Sequence, residues 1–250
     1  MTTRFLYLAG ALIAIASLCS AQKKVSKKEY DAYMAVAKAA TPDECIAAAD
    51  KFVENFADSS LKSQVLFFAA DAAERKNDIP KALTYAQTSL EADAKNYEAM
   101  LLISGELART TKEHDLDMEE KLSKADKLAK DAIEVIKNAP KPNANTPDDQ
   151  WEAHKKDRIA QAHTDLGMAA FDRKKYDVAI TEFKTAVDSG PTMDPTTMIR
   201  LAGAYDAAGK PDDAIAELNT VLAMPNLNPQ LKPYAESEKK RAEALKASKQ

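Results

Sequence analysis

Small and large apolar residues recur at fixed offsets in the second half of the chain. Gly167 and Ala179 are small, whereas Leu166 and Phe183 are bulky. Two antiparallel helices pack closely only where one helix offers a small side chain and the other fills the gap with a large one. Pro191 follows, and because proline cannot continue a helix, it ends the second one. The pattern predicts a helix-turn-helix hairpin.

The same spacing returns elsewhere in the chain, as it must, because one helical hairpin cannot bury its apolar face alone. The clearest second copy is shifted by 35 residues, from Ala179 to Ala214. Two weaker copies precede the first; one has alanine at its aromatic positions and the other has an insertion between its helices. A degenerate hairpin starts the array. We expect hairpins at 29–62, 63–96, 97–137 (with the insertion at about 109–118), 160–194 and 195–228.

The order of these positions, Leu-Gly, Tyr, Ala, Phe, Ala and Pro, resembles the tetratricopeptide repeat, whose period is about 34 residues. The resemblance implies an all-α fold, namely a right-handed superhelical array of antiparallel helix pairs, or α-solenoid. Arrays of this kind need polar terminal helices to stay soluble. Residues 229–250 are rich in Lys, Glu and Ala, and we expect them to form a C-terminal capping helix.

A Pro/Asn-rich connection interrupts the regular spacing near the middle of the chain. Residues 138–146 lack helical periodicity and are expected to link the first half of the array to the two clearest repeats. A long helix then starts at Thr146 and reaches Phe171. Its first half, residues 147–158, is mostly polar and is expected to project beyond the stack. Trp151 within it either packs back on the preceding helix or anchors a partner.

Residues 1–21 have the layout of a secretory signal peptide. A basic residue precedes an almost wholly apolar run from Phe5 to Leu18, and small residues up to Ala21 are followed by a polar segment. The run is shorter than the about 20 residues that a membrane-spanning helix needs. We therefore expect cleavage after Ala21 and an exported protein of the periplasm or cell envelope. A lipid on Cys19 and retention as an uncleaved anchor are the alternatives.

Charge and cysteine content argue against several classes of function. The formal net charge is −4, so the chain lacks the basic balance with which proteins bind nucleic-acid phosphates, and we expect no nucleic-acid partner. Cleavage after Ala21 leaves Cys45 as the single cysteine, which cannot form an intramolecular disulfide. We interpret Cys45 as a small buried residue rather than a redox group.

The titratable residues form no catalytic or metal-binding motif. His114, His154 and His163 do not have a zinc-binding spacing, and we assign His163 to packing. Asp115 and Asp117 begin like a calcium loop, but the glycine that such a loop needs at its sixth position is replaced. We therefore expect no enzyme, no cofactor and no metal site.

In the family that the chain resembles, the inner helix of each hairpin lines a concave groove that binds a partner segment. The matching positions are Phe67, Leu101, Thr164, Met168, Phe171, Ile199 and Asp206. The resemblance implies a non-catalytic scaffold or adaptor for a protein or peptide partner. The chain lacks the Lys/Asn/Arg set with which some members bind a C-terminal carboxylate. Two alternatives stay open: an assembly factor for outer-membrane or secretion machinery, and an envelope enzyme or small-ligand receptor on a helical scaffold.

Overall fold

The computed structural model of the protein describes residues 25–249, which contain eleven α-helices and no β-strand. The helices are α1 (Lys27–Ala37), α2 (Pro42–Asn55), α3 (Lys62–Arg75), α4 (Ile79–Ala92), α5 (Tyr97–Thr110), α6 (Met118–Lys137), α7 (Asp148–Asp172), α8 (Tyr176–Ser189), α9 (Pro195–Ala207), α10 (Pro211–Leu222) and α11 (Lys232–Ser248). The all-α prediction is confirmed. The expected signal segment 1–21 lies outside the described residues.

Helices that follow each other in the chain pack against each other as antiparallel pairs. These contacts join α1 to α2, α2 to α3 and α3 to α4, and later α8 to α9, α9 to α10 and α10 to α11. Next-but-one helices also touch, since α1 contacts α3 and α9 contacts α11. Each pair thereby buries its apolar face on the next pair, which is how helical repeats gain stability. The C-terminal helix α11 covers α9 and α10 with its buried Ala235 and Ala242.

Three turns inside these pairs share one backbone conformation. Asn77, Lys174 and Gly209 have positive φ angles of 60°, 60° and 73°. The residue after each of them donates its backbone N–H to a carbonyl one turn and a half earlier, as Asp78 does to Ala73 at 3.0 Å. This is the hydrogen bond of a Schellman helix end. The repeats are therefore alike in backbone geometry as well as in sequence spacing.

Side chains cap the early helices in the way that their sequences favour. The Thr41 hydroxyl accepts the backbone N–H of Glu44 at 3.2 Å, and the Glu44 carboxylate accepts that of Thr41 at 3.3 Å. Pro42 stands at the first helical position of α2, where its missing N–H costs nothing. Ser26 and Glu29 form the same reciprocal arrangement at the start of α1. Each of these capping boxes fixes where its helix begins.

By their contacts, the described residues divide into two compact units. The first contains residues up to 106 and residues 134–152, and the second contains residues 107–133 and those from 153 onward. The expected linker 138–146 does not separate the units, because it lies inside the first one. Asn143 and Thr146 are buried there, and Thr146 donates its backbone N–H to the Asn143 carbonyl at 3.2 Å. The segment is thus packed as a turn.

The long helix α7 has 25 residues, but its first part does not project. Trp151 is only 6% exposed, and residues 153–158 are half-buried except for Lys156. The projection expected for residues 147–158 is therefore wrong, and Trp151 is not an exposed anchor for a partner. Burial of the large apolar ring of a tryptophan is favourable, which accounts for the packing of this part of the helix.

The small residues of the two clearest repeats lie in the core between neighbouring helices. Ala179 and Ala214 are fully buried. Ala179 belongs to a core cluster that also contains Phe183, whereas Ala214 belongs to a cluster that contains Leu218. A methyl group fits at these positions, and a larger side chain has no space to occupy.

Replacing Ala179 or Ala214 by leucine is expected to lower the free energy of unfolding by about 1–3 kcal/mol, because it overpacks a helix contact. Urea denaturation measures the loss. Ala216→Leu is the control, since Ala216 lies on the same helix as Ala214 and is exposed; its change should stay within about 0.5 kcal/mol. Equal stabilities of the Ala214→Leu and Ala216→Leu variants would contradict the packing described here.

Candidate functional site

The predicted partner-binding residues lie on the first helix of successive pairs. Phe67 and Leu101 lie on α3 and α5 and belong to the first unit. The others belong to the second unit: Thr164, Met168 and Phe171 on α7, and Ile199 and Asp206 on α9. Phe67 is half-buried, and its ring centroid lies 6.2 Å from that of Phe68. The structure therefore brings five of the seven predicted residues together on two helices of one unit.

Three of the seven are buried and offer little surface to a partner. Leu101 is 1% exposed, and Thr164 and Asp206 are each 8% exposed. The hydroxyl oxygens of Thr164 and Thr197 lie 3.2 Å apart, and Asp206 Oδ2 accepts a hydrogen bond from Nε of Arg241 at 2.6 Å. Thr164 thereby joins α7 to α9, and Asp206 joins α9 to α11. Their polar groups are used in helix packing.

Met168, Phe171 and Ile199 keep part of their side chains exposed, and together they are named the α7–α9 surface. Each also packs against a core cluster: Met168 and Phe171 on the cluster that contains Ala179, and Ile199 on the one that contains Ala214. The expectation that burial in the stack does not require them is therefore too simple. Helix packing uses one side of these residues and leaves the other side open.

A charged residue adjoins this surface in the sequence. Arg200 follows Ile199 on α9 and is half-buried. Burial lowers the pKa of its guanidinium, and the nearby charge of Arg109 adds to that decrease, whereas Asp194 and Asp165 oppose it. Nothing in the sequence pattern singles out Arg200, because its charge is one of many on amphipathic helices.

The remaining chemical candidates take part in packing and ion pairs. His163 Nδ1 lies 2.7 Å from Glu182 Oε2, which joins α7 to α8. Asp115 and Asp117 form ion pairs with Lys121 at 3.2 and 2.9 Å. These two carboxylates, which resemble the start of a calcium loop, therefore already have a cation next to them.

The last chemical candidates within residues 25–249 are Cys45 and the residue types that bind metal ions. Cys45 is fully buried, and its thiol donates to the Phe68 carbonyl at 3.5 Å. Within those residues, no three His, Cys, Asp or Glu side chains are grouped in a way that could hold a metal ion. The same residues include no helix that is both long and apolar enough to cross a membrane.

The clearest repeats of the chain match the model of a known protein family. Residues 170–232 match the tetratricopeptide repeat model. The matched segment begins near the end of α7 and runs through α8, α9 and α10 to the start of α11. It therefore contains α9 and Ile199, whereas Thr164 and Met168 lie just before it. A comparison with curated proteins finds no match.

Two solved structures share the fold of this chain. TTC0263, a thermophilic TPR protein of Thermus thermophilus, aligns with a TM-score of 0.58 at 16% identity, over 84% of this chain and 98% of its own. The assembly chaperone of RpL4 (Acl4) aligns with a TM-score of 0.51 at 11% identity, over 89% of this chain and 97% of its own. Together with the family match, these similarities support a tetratricopeptide repeat protein built as an α-solenoid of helix pairs.

Proposed function

We propose that the protein is a non-catalytic scaffold or adaptor of the bacterial cell envelope that binds a partner segment on the α7–α9 surface. Tetratricopeptide repeats in general serve as surfaces for protein and peptide partners. The observation that carries the proposal is the partial exposure of Met168, Phe171 and Ile199 on neighbouring helices of one unit. A few residues carry most of the affinity in protein interfaces, and these partly exposed side chains are placed to act as such anchors.

The variant Met168→Gln with Ile199→Thr is expected to abolish capture of the partner. The two substitutions remove apolar contact area from both helices of the α7–α9 surface, and loss of such anchors weakens binding by about 2 kcal/mol or more each. Tagged protein is used to capture partners from the native envelope fraction, and quantitative mass spectrometry compares the variant with the parent.

A second pair of substitutions separates binding from stability. Val187 and Ile215 are also half-buried and pack against the same core clusters, but they lie on α8 and α10. The variant Val187→Thr with Ile215→Thr should lose a similar amount of stability in thermal melts and still capture the partner. Equal capture by both double variants would remove the α7–α9 surface as the binding site.

The proposed location depends on residues 1–21. The mature protein is expected to begin near Gln22, because small residues end the apolar run and polar residues follow at once. N-terminal sequencing and intact mass of the protein from envelope fractions measure this. An intact Met1 points to retention or to a cytoplasmic protein, and a lipid on Cys19 points to a lipoprotein; either result contradicts cleavage after Ala21.

A further inference from the structure

Arg200 has hydrogen-bonding capacity that the described part of the chain does not use. Among residues 25–249, its guanidinium makes no hydrogen bond and no ion pair. Its nitrogens are not among the buried polar atoms that lack a partner, so they reach solvent. A guanidinium carries five N–H donors and no acceptor. Among the described residues, water alone meets these donors, so they are free to bond to an acceptor on a bound molecule.

The nearest carboxylate in sequence is engaged elsewhere. Asp194 caps α9: its Oδ1 accepts the backbone N–H of Thr196 at 3.2 Å, and its Oδ2 accepts the backbone N–H and hydroxyl of Thr197 at 2.9 and 2.6 Å. These bonds hold the carboxylate at the start of the helix. Asp194, like Asp165 on α7, therefore acts on Arg200 through its charge and not through a hydrogen bond.

Other arginines of the second unit differ from Arg200 in having carboxylate partners within the chain. Arg173 contacts Glu119 and Asp126, and Arg241 contacts Asp206. Arg200 stands apart because no carboxylate among residues 25–249 pairs with it and because it follows Ile199, a partly exposed residue of the α7–α9 surface. A partly buried arginine and carboxylate form two parallel hydrogen bonds, which are stronger than the same bonds in open water.

We infer that Arg200 receives the side-chain carboxylate of an Asp or Glu in the bound segment, while apolar side chains next to that acid contact Met168 and Ile199. This inference rests on the proposed function and narrows it to acidic, partly apolar segments. The carboxylate comes from within the segment and not from its C-terminus. Arg200 sets the chemical preference, and the α7–α9 surface supplies the apolar contact.

The test begins with a random peptide library, with amidated C-termini, selected on the full-length expressed protein. Enriched peptides should contain an acid flanked by apolar residues. Affinities of synthetic copies, measured by fluorescence anisotropy, should fall about ten- to hundredfold when the acid is changed to its amide or when Arg200→Gln is introduced. Combining the two changes should cause little further loss, since both remove one contact.

Lys184→Gln is the control for charge, because Lys184 lies on α8 and is paired with Asp188 on the same helix. It removes the same positive charge and should leave the affinities unchanged. The inference would be overturned if the enriched peptides contained no acids, or if acidic peptides bound the Arg200→Gln variant as tightly as the parent. If the binding of such peptides still depended on Met168 and Ile199, the proposed function would stand. Peptide binding that depends on none of Met168, Ile199 and Arg200, or a library that yields no enriched peptide, would overturn both the inference and the proposed function.

Discussion

Phe183→Ala is expected to lower the free energy of unfolding by about 3–5 kcal/mol, as is usual when a buried aromatic side chain is truncated. Phe183 is 1% exposed and lies in the core cluster with Ala179 and Leu201. Its ring fills the space above Gly167, where an added Cβ would lie 2.5 Å from a ring carbon. The loss is a large fraction of the about 5–15 kcal/mol by which domains are stable. Urea denaturation followed by circular dichroism measures it.

Two glycine substitutions test the same contact from the other side. Gly167→Ala should be destabilising even though alanine favours a helix by about 1 kcal/mol over glycine, because the new methyl group meets the buried ring of Phe183. Gly203→Ala is the matched control on α9, where the nearest atom to an added Cβ is Glu238 Oε2 at 4.0 Å; it should be neutral or stabilising. If both variants are equally stable, the contact between Gly167 and Phe183 is not as close as described.

Arg173→Met is expected to lower the free energy of unfolding by about 1.5–3 kcal/mol, the range for hydrogen bonds to charged groups. Arg173 is 9% exposed in its side chain, and it donates from Nε to Glu119 Oε2 at 2.9 Å and from Nη1 to Asp126 Oδ2 at 3.0 Å. Removing the guanidinium leaves Asp126 without its cation in a place where burial already raises the pKa of that carboxyl. Urea denaturation at neutral pH measures the loss.

The pH dependence of stability provides a second readout for Arg173. Its hydrogen bonds lower the pKa of Glu119 from 4.5 to about 2, so the contribution of Glu119 is fully present above about pH 4.5 and is lost as the pH falls towards 2. The contribution of Asp126 to stability changes with pH in the opposite direction, because its raised pKa favours the protonated form in the folded protein. Glu119 is mostly exposed, so salt reduces its effect.

Stability measured between pH 5 and pH 2 should therefore fall less steeply in the Arg173→Met variant than in the parent. Lys127→Met is the control, since Lys127 forms an exposed pair with Asp131 one helical turn away on α6, and such pairs contribute little. A parent and an Arg173→Met variant with the same stability at neutral pH would show that the ion pairs of Arg173 do not hold α6 and α7 together.

Local patterns in the sequence predict the helices well, because they depend on residues three or four positions apart. Across one short turn between two helices, the pairing of Gly167 with Phe183 also predicts a close helix pair, and the structure places the ring against that glycine. The threonine, proline and glutamate at the start of α2 are residues that favour a helix cap, and the hydrogen bonds show that they form one. Side chains within one helical turn decide such features, and tertiary packing then adds to them.

The candidate site could be predicted only in part. The repeat spacing located Met168, Phe171 and Ile199 on α7 and α9, but it could not show that Leu101, Thr164 and Asp206 are buried. How much of one helix face is buried depends on where along that face the next helix pair packs. That distance is set by the packing of whole pairs and has no signature in one repeat.

The sequence by itself determined that this protein is an all-α array of helix pairs, because apolar spacing, caps and turn residues act over a few positions and agree with one another. Only the tertiary structure decided that Trp151 is buried, that Arg173 reaches Glu119 and Asp126 across about fifty residues, and that no residue among 25–249 pairs with the guanidinium of Arg200. The physical reason is that charged side chains on amphipathic helices look equivalent in the sequence. Which of them meets a partner depends on the register between helices that are distant in the chain.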